Sequence, residues 1–415
     1  MISFDDPRLT QSLAHGGRLY VGFSGGVDSL ALLHMLAQSL PDSHRSSLTA
    51  IHVHHGLSPN ADDWLEHCQT VCKTMGVSFL SEYVQVESSR SIEENARKAR
   101  YQAFEKHLKR HDILAQGHHA NDQAETLLFR LERGAGTRGM QGIPIWRSLG
   151  QGKIWRPLLS VSRQALEAYV TAQGLSWIED ESNDDSRYRR NFLRHQVLHP
   201  WQSNNSGVAQ AIASSARLMQ QEMSVYDRLA SEALAGLQSS CGGLLLDQLP
   251  EGEEGFWLSR FVRQNGHSLT EPQLKSVLAM FFSSQEKQPC FIGEGFQLAR
   301  FETTLYLLPI IAEPVSQIVT AGQWLIREHD ELYSDRQVEV RGRPQGVSLC
   351  LPNGRHRPLK KWLQDQRIPL WWREQLPYVY EAGVLVAIGT LWQQPGWNGV
   401  IEWQRKSSLP WPASP

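Results

Sequence analysis

The chain has 415 residues, 41% of them hydrophobic and 20% charged, with a formal net charge of -2. That length is too great for one ordinary core and indicates two or three domains, and the near-neutral balance excludes binding of a polyanion by global charge. Five cysteines form no regular framework and no apolar run is long enough to cross a bilayer, so the expectation is a cytoplasmic protein with no membrane partner.

The first clear element is an apolar strand over 19–23, followed by Ser24-Gly25-Gly26-Val27-Asp28-Ser29 and a helix from Leu30. Two adjacent glycines at a strand-to-helix turn let successive backbone N–H groups face one concavity, and the helix N-terminus behind them favours an anion. Asp28 would repel a bare phosphate unless a cation lies between, and Mg²⁺ is the simplest such cation. The turn lacks the spacing of a Walker A loop or of the Gly-x-Gly-x-x-Gly fingerprint.

A second strand over 48–53 ends in His54-His55-Gly56-Leu57, and in a parallel sheet that end should lie beside the first. A helix over 61–75 and a strand near Val77–Phe79 follow. Cys68 and Cys72 stand one helical turn apart and read as buried thiols, because no second ligand pair follows at zinc-finger spacing. Ser91-Ile92-Glu93-Glu94 has a capping-box pattern and opens a helix carrying Arg97, Arg100 and Tyr101, a face for phosphates or for solvent.

The next strand, 113–117, delivers Gly117-His118-His119-Ala120-Asn121-Asp122-Gln123-Ala124-Glu125-Thr126. With a helix starting near Asn121, Asp122 and Glu125 share one face with His118 just before them. That pair suits an ammonium group or merely the helix N-terminus, and a transition-metal site is the weaker alternative. A glycine-rich loop over 134–139 and a helix from Ser162 to Gln173 come next. The stretch 180–194 then runs from turn-forming acids into a helix with Arg187, Arg189, Arg190 and Arg194, a strong local positive field.

Beyond Gln202–Gly207 a long helix is expected over 208–240, then a small α+β segment with helices near 254–264 and 271–282. The last segment interleaves Arg355, Arg357, Lys360, Lys361, Arg367 and Arg373 with Trp362, Trp371 and Trp372. Charge for phosphates and rings for bases make a nucleic-acid face. Tryptophans in a small core with a solvated basic rim are the structural alternative. The domain boundaries expected are 1–205, 206–318 and 319–415.

The glycine turn resembles the pyrophosphate loop of the N-type ATP pyrophosphatases. Together with His-His-Gly-Leu at 54–57, Gly-His-His-x-x-Asp-Gln-x-Glu-Thr at 117–126, Arg-Asn-x-x-Arg at 190–194 and Pro-Leu-Lys-Lys at 358–361, it makes the chain similar to the tRNA(Ile)-lysidine synthetases. The resemblance implies an α/β fold: a parallel-sheet catalytic domain, a mostly helical middle domain and a small α+β C-terminal domain. It implies ATP and Mg²⁺, free L-lysine and tRNA(Ile) with a CAU anticodon, and no protein partner.

By the same resemblance Ser24, Gly25, Gly26, Val27, Asp28 and Ser29 hold the pyrophosphate, with His54 at the nucleotide and Asp28 on the metal. Asp122 and Glu125 bind lysine. Asp28, His118 and Arg190 are the catalytic set, Arg190 and Arg194 hold phosphates or the intermediate, and Lys360 and Lys361 contact tRNA. A sulfur-transferring relative would need cysteines near the site, and no Cys-x-x-Cys is present.

Overall fold

The computed structural model describes residues 4–56, 58–86, 92–179, 189–282 and 289–412. Leu57, Ser91, the acidic stretch over 180–188 with Arg187, and the Ile92 and Glu93 side chains lie outside the described residues. The chain divides into two compact units, Met1–Asp227 and Arg228–Pro415.

The first unit opens with α1 (Pro7–Ala14), β1 (Leu19–Gly22), α2 (Val27–Ser39), α3 (Asp42–Arg45), β2 (Leu48–His54) and α4 (Ala61–Met75). It continues with β3 (Ser78–Tyr83), α5 (Ile92–His107), β4 (Ile113–Ala115), α6 (Ala120–Glu132), the hairpin β5 (Trp146–Leu149) and β6 (Gly152–Trp155), and α7 (Arg163–Ala172). Then come α8 (Arg189–Phe192), a π-helical turn over Leu193–Leu198, α9 (His199–Asn204) and α10 (Val208–Gly236).

Its sheet has the order β3-β2-β1-β4-β6-β5, parallel except for β5. The chain fills one side of β1 with β2 and β3 and then crosses to the other side with β4. Ligands gather beyond the carboxyl ends of strands at such a reversal, and the two loops there are those after β1 and β4. Helix α2 is apolar nearly all round: Leu30, Ala31, Leu32, Leu33 and Leu36 are fully buried. Such a helix is stable only inside a core, and α2 lies against β1 and α7. Burial on all sides fixes its N-terminus, and hence the loop in front of it.

The second unit carries β7 (Leu244–Leu245), α11 (Glu254–Gln264), α12 (Glu271–Phe282), β8 (Cys290–Ile292), β9 (Gln297–Phe301) and β10 (Thr304–Leu308), with the sheet order β7-β10-β9-β8. After these come β11 (Gln317–Val319), β12 (Gln323–Ile326), β13 (Asp330–Ser334), β14 (Val338–Arg341), β15 (Ser348–Cys350), β16 (His356–Pro358), α13 (Leu359–Asp365) and α14 (Leu370–Gln375). Strands β17 (Tyr378–Glu381), β18 (Val384–Ile388), β19 (Trp392–Gln393) and β20 (Ile401–Arg405) complete antiparallel sheets with them. Helices α4, α11 and α12 have the bounds expected from sequence, and α10 ends four residues earlier than expected.

The tryptophans correct the expectation of an aromatic RNA face. Trp362, Trp371, Trp372 and Trp392 are buried in a core shared with Phe301, Tyr306 and Tyr378. The indole N–H groups of Trp371 and Trp372 both donate to the Pro410 carbonyl, at 2.8 and 2.9 Å. Large rings gain more from burial than from exposure, and satisfied N–H groups remove the penalty for burying them.

Candidate active site

The loop after β1 is built by close approaches. Gly25 has a φ of +86°, where only glycine is unstrained, and its carbonyl accepts from Ile178 N at 3.0 Å. A Cβ there would meet Ile178 Cδ1 at 2.5 Å and Cys68 Sγ at 3.0 Å. Ser29 Oγ donates to the Gly26 carbonyl at 3.0 Å and accepts from Ser24 N at 3.2 Å, which ties the loop to the first turn of α2. The N-cap residue Gly26 supplies no side-chain acceptor to that turn. Its N–H groups are therefore available to an anion.

Strand β4 brings the second loop against the first. A Cβ on Gly117 would fall 2.9 Å from the Asp28 carbonyl carbon and oxygen and 3.1 Å from Ser29 N. Glycine is required because backbone meets backbone. His119 follows and is 3% exposed, with Nε2 at 3.4 Å from Asp28 Oδ2 and 3.5 Å from Asp122 Oδ2. Asp122 Oδ2 also accepts from His119 N at 2.9 Å, so this carboxylate caps its own helix while facing the site.

Helix α8 and the π-helical turn supply the arginines. Arg190 donates to Asp122 Oδ1 and Glu125 Oε2, both at 2.7 Å. Arg194 donates to both Glu125 oxygens, at 2.6 and 3.1 Å. Arg190 and Arg194, expected on phosphates, are thus on the two carboxylates expected to bind lysine. Ala120 and Ala124 on the other side of α6 pack on Leu198, Val208, Ala209 and Ala213, which holds α6 against the start of α10.

These contacts set the protonation states. Burial lowers the His118 pKa to about 4 despite the opposing Asp122 charge, so this imidazole is neutral near pH 7. Burial pushes His119 the same way, but Asp122 and Asp28 outweigh it and raise its pKa above 6.5. For Asp122, burial favours the neutral acid, and the His119 and Arg190 charges overcome it and hold the carboxyl well below its usual range. Cys68 and Cys72 are pushed up to about 12 by burial, which makes them inert thiols.

One cavity of about 630 Å³ collects Ser24, Gly26, Val27, Asp28 and Ser29 from the first loop, His54, and His118, Asp122, Arg190 and Arg194 from the rest. Gly25 lies beneath Ile178 and Glu125 behind its two arginines. Lys360 and Lys361 belong to the second unit and are not part of this cavity. Sequence reasoning missed Arg163 and Ile178, which also line the cavity; neither stands in a recognisable motif. Asn121 is structural: its Oδ1 accepts from Arg163 N and its Nδ2 donates to Gln202, both at 3.2 Å.

Among the described residues no group of three or more His, Cys, Asp or Glu side chains could hold a metal, and the Asp122 and Glu125 carboxylates are paired with Arg190 and Arg194. Asp28 Oδ1 is nevertheless buried with no hydrogen-bond partner among the described residues. A single carboxylate oxygen next to a phosphate cradle fits Mg²⁺, which retains waters and shares phosphate oxygens.

Loop, switch point and buried helix N-terminus define a PP-loop enzyme that uses ATP, and the PP-loop domain model matches residues 6–200. The TilS substrate C-terminal domain model matches residues 338–409. Over its length the chain is 37% identical to the tRNA(Ile)-lysidine synthase of Pseudomonas syringae pv. tomato, covering 94% of this chain and 93% of the relative. Those of Vibrio cholerae serotype O1 and Serratia proteamaculans are 34% and 36% identical, each comparison covering 92% of both chains. The chain belongs to the tRNA(Ile)-lysidine synthase family.

Proposed function

We propose that the chain joins the ε-amine of free L-lysine to C2 of the wobble cytidine in the CAU anticodon of tRNA(Ile), at the expense of ATP. The cytidine O2 attacks the α-phosphorus, pyrophosphate leaves, and the lysine amine then displaces AMP with that oxygen. The observation that carries the reading is the single cavity in which the glycine loop, His118, Asp122 and the two arginines converge.

In this reading the N–H groups of the Ser24–Ser29 loop receive the departing pyrophosphate, where prearranged donors lower the barrier most. Asp28 would hold Mg²⁺, whose charge would offset that of the departing pyrophosphate. Asp122 and Glu125 bind the lysine, whose ammonium exchanges with part of the Arg190 and Arg194 contacts. The freed guanidinium groups then turn to the phosphates of the intermediate.

Free lysine has a pKa of about 10.4, so a group must take up a proton as the N–C bond forms. His118 can take it up because burial keeps the ring neutral near pH 7, whereas the Asp122 and Asp28 carboxylates bias His119 toward its charged form. We assign the catalytic domain to 1–205, a tRNA-contacting middle domain to 206–318 and a basic C-terminal domain to 319–415. Lys360 and Lys361 are exposed and make no ion pair among the described residues, which supports RNA contact. Among the described residues no helix is long and apolar enough to cross a membrane. We place the reaction in the cytoplasm.

The test is to incubate the protein with unmodified CAU-bearing tRNA(Ile), ATP and labelled lysine. Label should enter the tRNA with wild type and fail to enter with Asp28→Ala. Equal labelling by the variant would remove Asp28 from the reaction.

A further inference from the structure

The second unit contains an open pocket of about 760 Å³ between the turn joining β9 to β10 and helices α13 and α14. Phe301, Glu302, Lys360, Arg367 and Arg373 line it. Arg373 is 6% exposed, and its Nε donates to the Ile368 carbonyl at 2.8 Å. Among the described residues its Nη1 and Nη2 make no hydrogen bond or ion pair. The adjacent carboxylate, Glu374, is taken by Arg343 at 2.7 Å.

Arg367 pairs with Glu302 across the pocket, Nε to Oε1 at 2.8 Å. Lys360 is exposed at the rim. Three cations thus face one carboxylate. The Arg373 side chain is buried except where its fork opens on the pocket, it holds no carboxylate of its own among the described residues, and a planar fork matches the oxygens of a phosphate.

We propose that this pocket binds a phosphate group, with the Arg373 fork at its floor and Lys360 at its rim. Burial and then the Arg343 charge disfavour the Arg373 cation, Tyr378 and Glu374 oppose them only in part, and a bound anion adds to that opposition. The phosphate has two sources, the backbone of an RNA or free inorganic phosphate. The first rests on the RNA-binding reading above. The second does not.

The full chain is compared with Lys360→Glu, Arg373→Gln and Arg373→Lys, folding being checked by near-ultraviolet circular dichroism. Binding of unmodified CAU-bearing tRNA is measured across a salt series, and inorganic phosphate binding by ³¹P line broadening. The first unit's glycine loop also takes phosphate, so only the difference from wild type is read. With an RNA source, Lys360→Glu weakens tRNA binding about fivefold and lowers the salt slope by about one, and Arg373→Lys falls between wild type and Arg373→Gln.

With a free-phosphate source, the variants lose part of the line broadening while tRNA binding is unchanged. Either outcome supports the pocket. Wild-type salt slope and wild-type broadening in a folded Lys360→Glu overturn it, and Lys360 lies on the exposed rim, so that result does not depend on Arg373 variants folding. Failure of lysine transfer by wild type would overturn the proposed activity alone, because both readouts here are binding.

Discussion

His119 and Asp28 stand 3.4 Å apart, Nε2 to Oδ2, and the same ring nitrogen is 3.5 Å from Asp122. One buried imidazole therefore couples the nucleotide loop to the acidic face of α6. Because its folded pKa is raised, the stability that His119 contributes is fully present below about pH 6.5 and is lost as pH rises through the folded value. In urea melts, the stability advantage of wild type over His119→Gln should shrink above pH 6.5. An advantage that grows with pH would show that the ring is neutral.

His118 has the opposite linkage. The unfolded chain takes up a proton near pH 6.5 and the folded chain only near pH 4, so stability is lost as pH falls between them. His118→Gln should remove up to about 3 kcal/mol of that acid sensitivity, on the order expected for a shift of this size. It should also slow lysine transfer more than tRNA adenylation, a difference single-turnover measurements resolve.

Glu125 is 1% exposed and accepts from both Arg190 and Arg194. Removing its charge leaves the half-buried Arg194 without a counter-ion among the described residues and Arg190 with the Asp122 carboxylate, so Glu125→Gln should cost about 3 kcal/mol in unfolding free energy. The KM for lysine should rise more than that for ATP. Equal effects on both would assign Glu125 a purely structural task.

Gly117→Ala should be worse than its chemistry suggests, since the new methyl meets Asp28 and Ser29 backbone atoms that cannot yield. Displacing that loop by a few tenths of an ångström to 1 Å should lower kcat by about a hundredfold. Gly139→Ala, whose Cβ would meet only the Ala135 methyl at 2.5 Å and the Arg130 chain at 4.0 Å, is the comparison. Similar activity losses in the two variants would discount the β4 crossing.

Cys68 and Cys72 should resist alkylation in the native protein, while the exposed Cys290 reacts first. With pKa values near 12, the two buried thiols hold only about one thiolate in 10⁵ at pH 7, which leaves them ill-suited to carry sulfur. Mass spectrometry after brief iodoacetamide treatment reads the order, and early labelling of Cys68 would revive a sulfur-transfer reading.

Much of the site is local and was readable from sequence. A strand, a glycine pair and a helix start are consecutive in the chain, and so are Gly117, His118, Asp122 and Glu125. Their backbone preferences and periodicity therefore predict strand ends and a shared helix face without any long-range contact.

What lay beyond the sequence depends on residues far apart in the chain. Ile178 over Gly25, Arg190 and Arg194 on the α6 carboxylates, and the division of protonation between His118 and His119 arise only when separate elements are packed together. The tryptophans of the C-terminal segment show the same limit, because composition gives their size and polarity but not whether they face the core or solvent. The sequence by itself determined the loops that present chemistry. Tertiary packing decided which charges meet and which are buried, since desolvation and Coulomb interactions depend on distances that the chain order does not contain.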